Sequence, residues 1–139
     1  SLVTGQAVDH SDYTRHLISV VLSMAHLGGV VLVGRGGNFI LGPDRGFHIR
    51  FICPKHERIL NLMTYSNLTE KQAAVAVDKS DAERAGLMHK VFGFNIDDPH
   101  HYDLVVNSAY IDIEKLVDPV IAAIKLKLKR LAQPRDYDV

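Results

Sequence analysis

Val30 to Leu41, VVLVGRGGNFIL, decides the fold class. Val30 to Val33 is a continuous apolar run, the pattern of a strand covered on both faces, and that implies a parallel sheet. The run leads into a glycine-rich turn, and ligands bind where the strands of such sheets end. Gly34, Gly36 and Gly37 let the backbone take positive φ and come close to a ligand. Arg35 adds a planar positive fork suited to phosphate or carboxylate. The turn therefore predicts a local anion site.

Composition sets the frame around it. A chain of 139 residues, 47% hydrophobic and 23% charged, fits one domain with a real core. Sixteen basic and sixteen acidic residues cancel, so no long-range field draws the chain to nucleic acid or to an anionic membrane. The single cysteine, Cys53, excludes an internal disulfide and a cysteine-based zinc site, and it reads as a buried structural thiol of a cytoplasmic protein. No signal peptide or membrane span is expected from the sequence.

Outward from the turn, strands and helices alternate, which predicts an α/β fold. Ser11 or Asp12 caps a helix to about Leu27, with Leu17, Val20, Val21, Met24 and Leu27 as its apolar stripe, and Gly28-Gly29 ends it. Gly42 to Gly46 is a turn. Phe47 to Cys53 is a second strand, with His48 and Arg50 breaking its apolar run. Pro54 opens a helix over Lys55 to Tyr65, and Thr69 with Gln72 makes a capping box for a longer helix reaching Phe92. The middle of that helix, Asp78 to Arg84, is highly charged and reads as facing solvent or a ligand. Gly93 to His101 is a loop, and Tyr102 to Asn107 is a third strand. Asp112 starts a helix to about Leu131 that Pro119 kinks or restarts; its stripe runs from Ile113 to Leu131, and Lys125, Lys127, Lys129 and Arg130 read as solvated residues at the helix end. The expected domain is 11–131, with 1–10 and 132–139 as flexible ends.

The order GRGGN after a strand, PKHERI after the next strand, then LTEKQA, KSDAER, YDLVVNS and a closing helix resembles the cytidylate-kinase-like family of P-loop nucleoside monophosphate kinases over roughly residues 12–124. The resemblance implies transfer of the ATP γ-phosphoryl group to CMP or dCMP. It implies that Gly34, Arg35, Gly36, Gly37 and Asn38 form the acceptor turn, with Arg35 on the acceptor phosphate. It also implies a lid helix carrying Lys79, Asp81 and Arg84, in which Arg84 meets the transferring phosphates and Asp81 orients the lid. Phosphoryl transfer needs charge placed around the migrating group more than covalent help, so movable arginines fit it.

The chain departs from the family at two points. Cytidylate kinases have an aspartate after the turn arginine, where this chain has Gly36. The G-x-x-x-x-G-K-[ST] cradle is absent from the sequence, so ATP and Mg2+ are implied only for an intact protein, and neither is expected bound to this chain. The expected fold is thus a three-layer, mostly parallel sheet of about three strands flanked by helices, a partial P-loop kinase fold without the central P-loop strand. Missing that strand exposes backbone and apolar groups, and a homodimer is expected to cover the gap.

Other residues have simpler readings. Asp97, Asp98, His100 and His101 read as a polar loop around Pro99, and no metal site is expected. Apart from the resemblance, Arg84 reads as a partner of charges on its own helix, and Arg35 reads equally as an anion ligand or as a turn arginine paired with Asp44 or a helix C-terminus. Three functions stay open: the C-terminal portion of a nucleotide kinase, inactive alone; a non-catalytic module binding a CMP-like nucleotide or phosphate through Arg35 and Arg84; and a structural oligomerisation domain.

Overall fold

The computed structural model of the chain describes residues 10–134. In order they form α1 (His10–Leu27), α2 (Gly37–Leu41), β1 (Ile49–Ile52), α3 (Lys55–Ser66), α4 (Glu70–Phe92), β2 (Leu104–Asn107) and α5 (Val117–Leu131). Short 3-10 turns lie at Pro99–His101 and Ile113–Leu116. β1 and β2 pair in parallel, Ile49 opposite Leu104 and Ile52 opposite Asn107, and α3 and α4 form the crossover between them. The fold is thus mixed α/β with a parallel sheet of two strands flanked by helices.

Val30 to Val33, the first of the three expected strands, is not a strand, so the sheet of the described residues has two strands instead of about three. The segment runs without regular structure, and no backbone hydrogen bond among the described residues ties it to a sheet. Val31 is 90% and Val33 89% exposed. The cause is physical: an apolar run becomes a strand only where another strand accepts its ladder bonds.

The helices form for reasons visible in the sequence. The Thr69 hydroxyl accepts from the Gln72 N–H at 3.2 Å and the Gln72 side chain accepts from the Thr69 N–H at 3.0 Å, so both halves of the capping box are present. α4 ends where Gly93, at φ 72°, turns its N–H back to the His89 carbonyl. α3 starts after Pro54 and ends at Asn67 in the left-handed region, and a three-residue link then lays α4 against it. The last expected helix is divided into a 3-10 turn and α5, with Pro119 in the first turn of α5, where its missing N–H costs no hydrogen bond. The expected cap at Ser11 or Asp12 is superseded, since α1 already includes His10 and its start lies at the edge of the described residues. The ends expected to be flexible fall largely outside those residues.

The core is thin. Val21, Ala73, Val77, Met88, Ile96 and Val106 are its buried hydrophobic members. The stripes expected to be inward on α1 and α5 are largely uncovered: Val20, Met24 and Leu27 are exposed, as are Val117, Ile121 and Leu128. Cys53 is half-buried.

Polar residues inside the expected strands have partners. His48 Nε2 lies 2.8 Å from the Gly42 carbonyl, while Arg50 pairs with Asp97 at 2.8 Å and sits over the Tyr102 ring. Lys127 corrects a reading: its side chain is only 16% exposed, and its ammonium meets the Asp103 carboxylate at 2.7 Å, joining the helix to the residue just before β2.

Candidate functional site

Gly34, Arg35 and Gly36 hold φ of 71°, 59° and 68°, three consecutive left-handed residues. Only the central one has a side chain to be crowded by that conformation, at about 1–2 kcal/mol, and strain of this kind concentrates at ligand sites. Gly36 and Gly37 are buried, whereas Arg35 is exposed and its guanidinium has no hydrogen bond or ion pair among the described residues. Among the ion pairs of the described residues, none joins Arg35 to Asp44.

Gly36 is pressed against α4. A Cβ built there would lie 2.4 Å and 2.9 Å from two ring carbons of Phe92 and 3.1 Å from the Met88 sulfur. α2 follows at once. Its Asn38 amide donates to the His101 carbonyl at 3.2 Å, and its Phe39 stacks on Phe94 at 5.1 Å and lies 5.6 Å from Phe92. His101 closes the group, 5.1 Å from Phe39 and 4.5 Å from Phe94 between centroids. The short α2, absent from the sequence reading, is thus held by an aromatic cluster drawn from three places in the chain.

The three residues expected on the lid helix do not share one face. Ala73, Val77, Asp81, Arg84, Met88 and Phe92 follow one another at spacings of four or three along α4, so they form a single stripe. Its two ends are packed and its middle is charged. Arg84 stands one helical turn, about 6 Å of rise, before Met88, on the face of α4 that meets the acceptor turn. Lys79 lies about 200° around the helix from Asp81. It lines an open groove with Lys71, Gln72, Val75 and Ala76, and its nearest carboxylate is Glu83 at 3.9 Å. Lys79 and Asp81 are therefore not brought together.

Asp81 belongs to an ion-pair fork that sequence reading missed. Arg58 on α3 donates to both carboxylate oxygens, at 2.6 Å and 2.8 Å, and its Nε donates to the Cys53 carbonyl at 3.0 Å. Hydrogen bonding to Arg58 holds the Asp81 carboxyl below its ordinary range, and the same bond raises Arg58. Arg84 stands behind, 3.8 Å from Asp81 and 3.4 Å from the Ser80 hydroxyl, and more than half exposed. Lys55 adds a parallel link to Asp78 at 2.6 Å. The sequence carries no direct signal for it, since whether Arg58 in PKHERI meets Asp81 depends on how α3 lies on α4.

The Asp97 to His101 loop divides its groups among different partners. Asp97 turns to Arg50, while Asp98 accepts from the His100 N–H and faces its Nδ1 at 2.7 Å; hydrogen bonding to the His100 amide lowers the Asp98 carboxyl. Among the described residues no three His, Cys, Asp or Glu side chains converge to hold a metal ion. With no Walker A segment either, these residues do not fit Mg2+ or the β- and γ-phosphates of ATP. No helix is long and apolar enough to cross a membrane among the described residues.

The sequence profile of the cytidylate kinase-like family matches residues 2–110. A uronate isomerase of Corynebacterium glutamicum is 35% identical over 102 residues, covering 73% of this chain and 20% of that protein. The chain thus spans about a fifth of the length of this curated relative. No solved structure matches it.

Proposed function

The chain belongs to the cytidylate kinase-like family, and from that premise we propose that it is the acceptor-side portion of a nucleoside monophosphate kinase-like protein. The observation that carries this reading is Arg35, exposed in a strained turn and without an ion pair among the described residues, on the side of α4 that carries Arg84. The isomerase name describes a protein four fifths of which lies outside the match, and none of its activity is transferred here. That match does support a segment working within a longer polypeptide.

In this reading Arg35 holds the acceptor phosphate of CMP or dCMP, and Gly34, Gly36, Gly37 and Asn38 let the backbone approach it. Arg84 supplies charge to the transferring group, and Asp81, fixed by Arg58, sets where Arg84 can reach. None of these residues forms a covalent bond to phosphorus; their contribution is charge and position. ATP and Mg2+ belong to a P-loop-bearing part of the intact protein. The chain alone is expected to show no CMP-dependent ATP consumption above background, and reproducible turnover would refute the division of labour.

Calorimetry with CMP tests the acceptor site. Arg35→Ala is expected to weaken binding about tenfold or more, the value of charge-assisted bonds to a phosphate. Equal heats of binding in both proteins would remove Arg35 from the site.

For the chain by itself, a second copy covers Val30 to Val33 and the outer edge of β1. Sedimentation at tens of micromolar should then show a dimer. Val33→Asp should weaken that association while changing the stability of the dilute monomer by less than about 0.5 kcal/mol, because an exposed side chain contributes little to its own fold. A monodisperse monomer that binds no surface-sensitive dye would count against the dimer.

A further inference from the structure

We infer that Phe92, at the last position of α4, is a positioning residue for Arg35. The inference rests on Arg35 being the anion-binding group of the acceptor turn. Arg35 takes a conformation that a residue with a side chain avoids, so something outside the turn must hold it. The bond within the turn, from the Gly37 N–H to the Gly34 carbonyl, is long at 3.4 Å. The close packing lies next door, where the Phe92 ring fills the volume over the Gly36 α-carbon so fully that no Cβ fits. Gly34, at nearly the same φ, has nothing within 4 Å of its own Cβ position. The tight contact on the turn is therefore at Gly36, while Leu32 stands at ordinary contact distance from Gly37.

Phe92 is itself fixed. Its ring meets Phe39, Phe39 stacks on Phe94, and Asn38 bonds the His101 carbonyl, so both sides of the clamp share one aromatic cluster. Met88, buried one turn earlier on the same stripe, stands against the same Gly36 position. The stripe continues to Arg84 and Asp81. The conformation of Arg35 and the placement of Arg84 are thus set by one rigid helix, and a displacement of α4 carries the acceptor turn with it.

Two measurements on the 139-residue chain test this. The first is the one-bond Cα–Hα coupling of Arg35, which separates positive from negative φ. It should report positive φ in the parent, move toward the negative-φ value in Phe92→Ala, and move part of the way in Phe92→Leu. An unchanged coupling in Phe92→Ala overturns the inference; should that variant fail to fold, an unchanged coupling in Phe92→Leu does so. The second is a double-mutant cycle read by CMP affinity. Phe92→Ala should weaken CMP binding five- to tenfold when Arg35 is present and less than twofold in an Arg35→Ala background, while lowering thermal stability equally in both. Equal weakening in both backgrounds would make Phe92 merely structural and would overturn its positioning role. If the parent binds no CMP, the acceptor reading falls, and the coupling alone decides whether Phe92 sets the turn.

Discussion

Gly36→Asp is expected to destabilise the chain by about 4 kcal/mol, whereas Gly34→Asp, two residues earlier at almost the same φ, should cost only about 1 kcal/mol. The left-handed backbone contributes little to the difference, because aspartate tolerates that region better than most residues and both sites share it. Space decides it. At position 36 the new Cβ would enter the Phe92 ring at 2.4 Å, and overpacking of this kind costs about 1–3 kcal/mol. The carboxylate beyond it would also be driven into an aromatic cluster, for about 1–3 kcal/mol more. At position 34 the side chain would meet open space. Urea unfolding of the two variants is the measurement. A difference below about 1 kcal/mol would mean that Phe92 moves aside freely and that the clamp on the turn is loose.

That result would bear on substrate choice as well as stability. The aspartate expected after the turn arginine by resemblance is not merely missing; its place is taken by Phe92. In the proposed function the acceptor base is therefore read from elsewhere than position 36.

What the sequence made legible follows the range of the interactions involved. Local rules placed α3, α4, β1 and β2 correctly in type and to within a few residues, because Pro54, the Thr69–Gln72 box and Gly93 act on their own neighbours. Val30 to Val33 failed because a strand is a property of a pair: its apolar pattern says which partner it wants, and the described residues offer none. α2 was missed because five residues carry too little periodicity, and its stability comes from Phe92, Phe94 and His101 far along the chain. Around Arg35, the unusual backbone was legible from its flanking glycines, since Gly34 and Gly36 both take positive φ. The separation of Lys79 from Asp81 could have been read from helical spacing alone. The Arg58 fork could not, because it depends on how α3 lies on α4.

That fork carries the second large expected effect. Arg58→Ala should lower stability by about 1.2 kcal/mol near neutral pH, between the 0.2–1 kcal/mol of an ordinary exposed pair and the 1.5–3 kcal/mol of well-formed charged hydrogen bonds. The discount from the upper figure is required because Arg58 is 34% and Asp81 39% exposed, so water and salt screen the pair. Arg58→Lys should cost about half as much. An ammonium keeps the charge but cannot span both oxygens of Asp81 and the Cys53 carbonyl together. The pH dependence fixes the assignment. Because Asp81 is lowered in the folded chain from its ordinary 3.8, the stabilisation it gains from Arg58 is complete above that value and is lost as pH falls through the lower, folded one. The gap between parent and Arg58→Ala should accordingly be constant from pH 7 to about pH 5 and shrink below pH 4. What then remains is the bond from Arg58 to the Cys53 carbonyl, which does not titrate with Asp81. A gap that stays constant down to pH 3 would show that Arg58 stabilises the chain by packing or by that carbonyl alone. Asp81 would then not be the group that ties α4 to α3, and Arg84 would lose the anchor that the proposed site gives it.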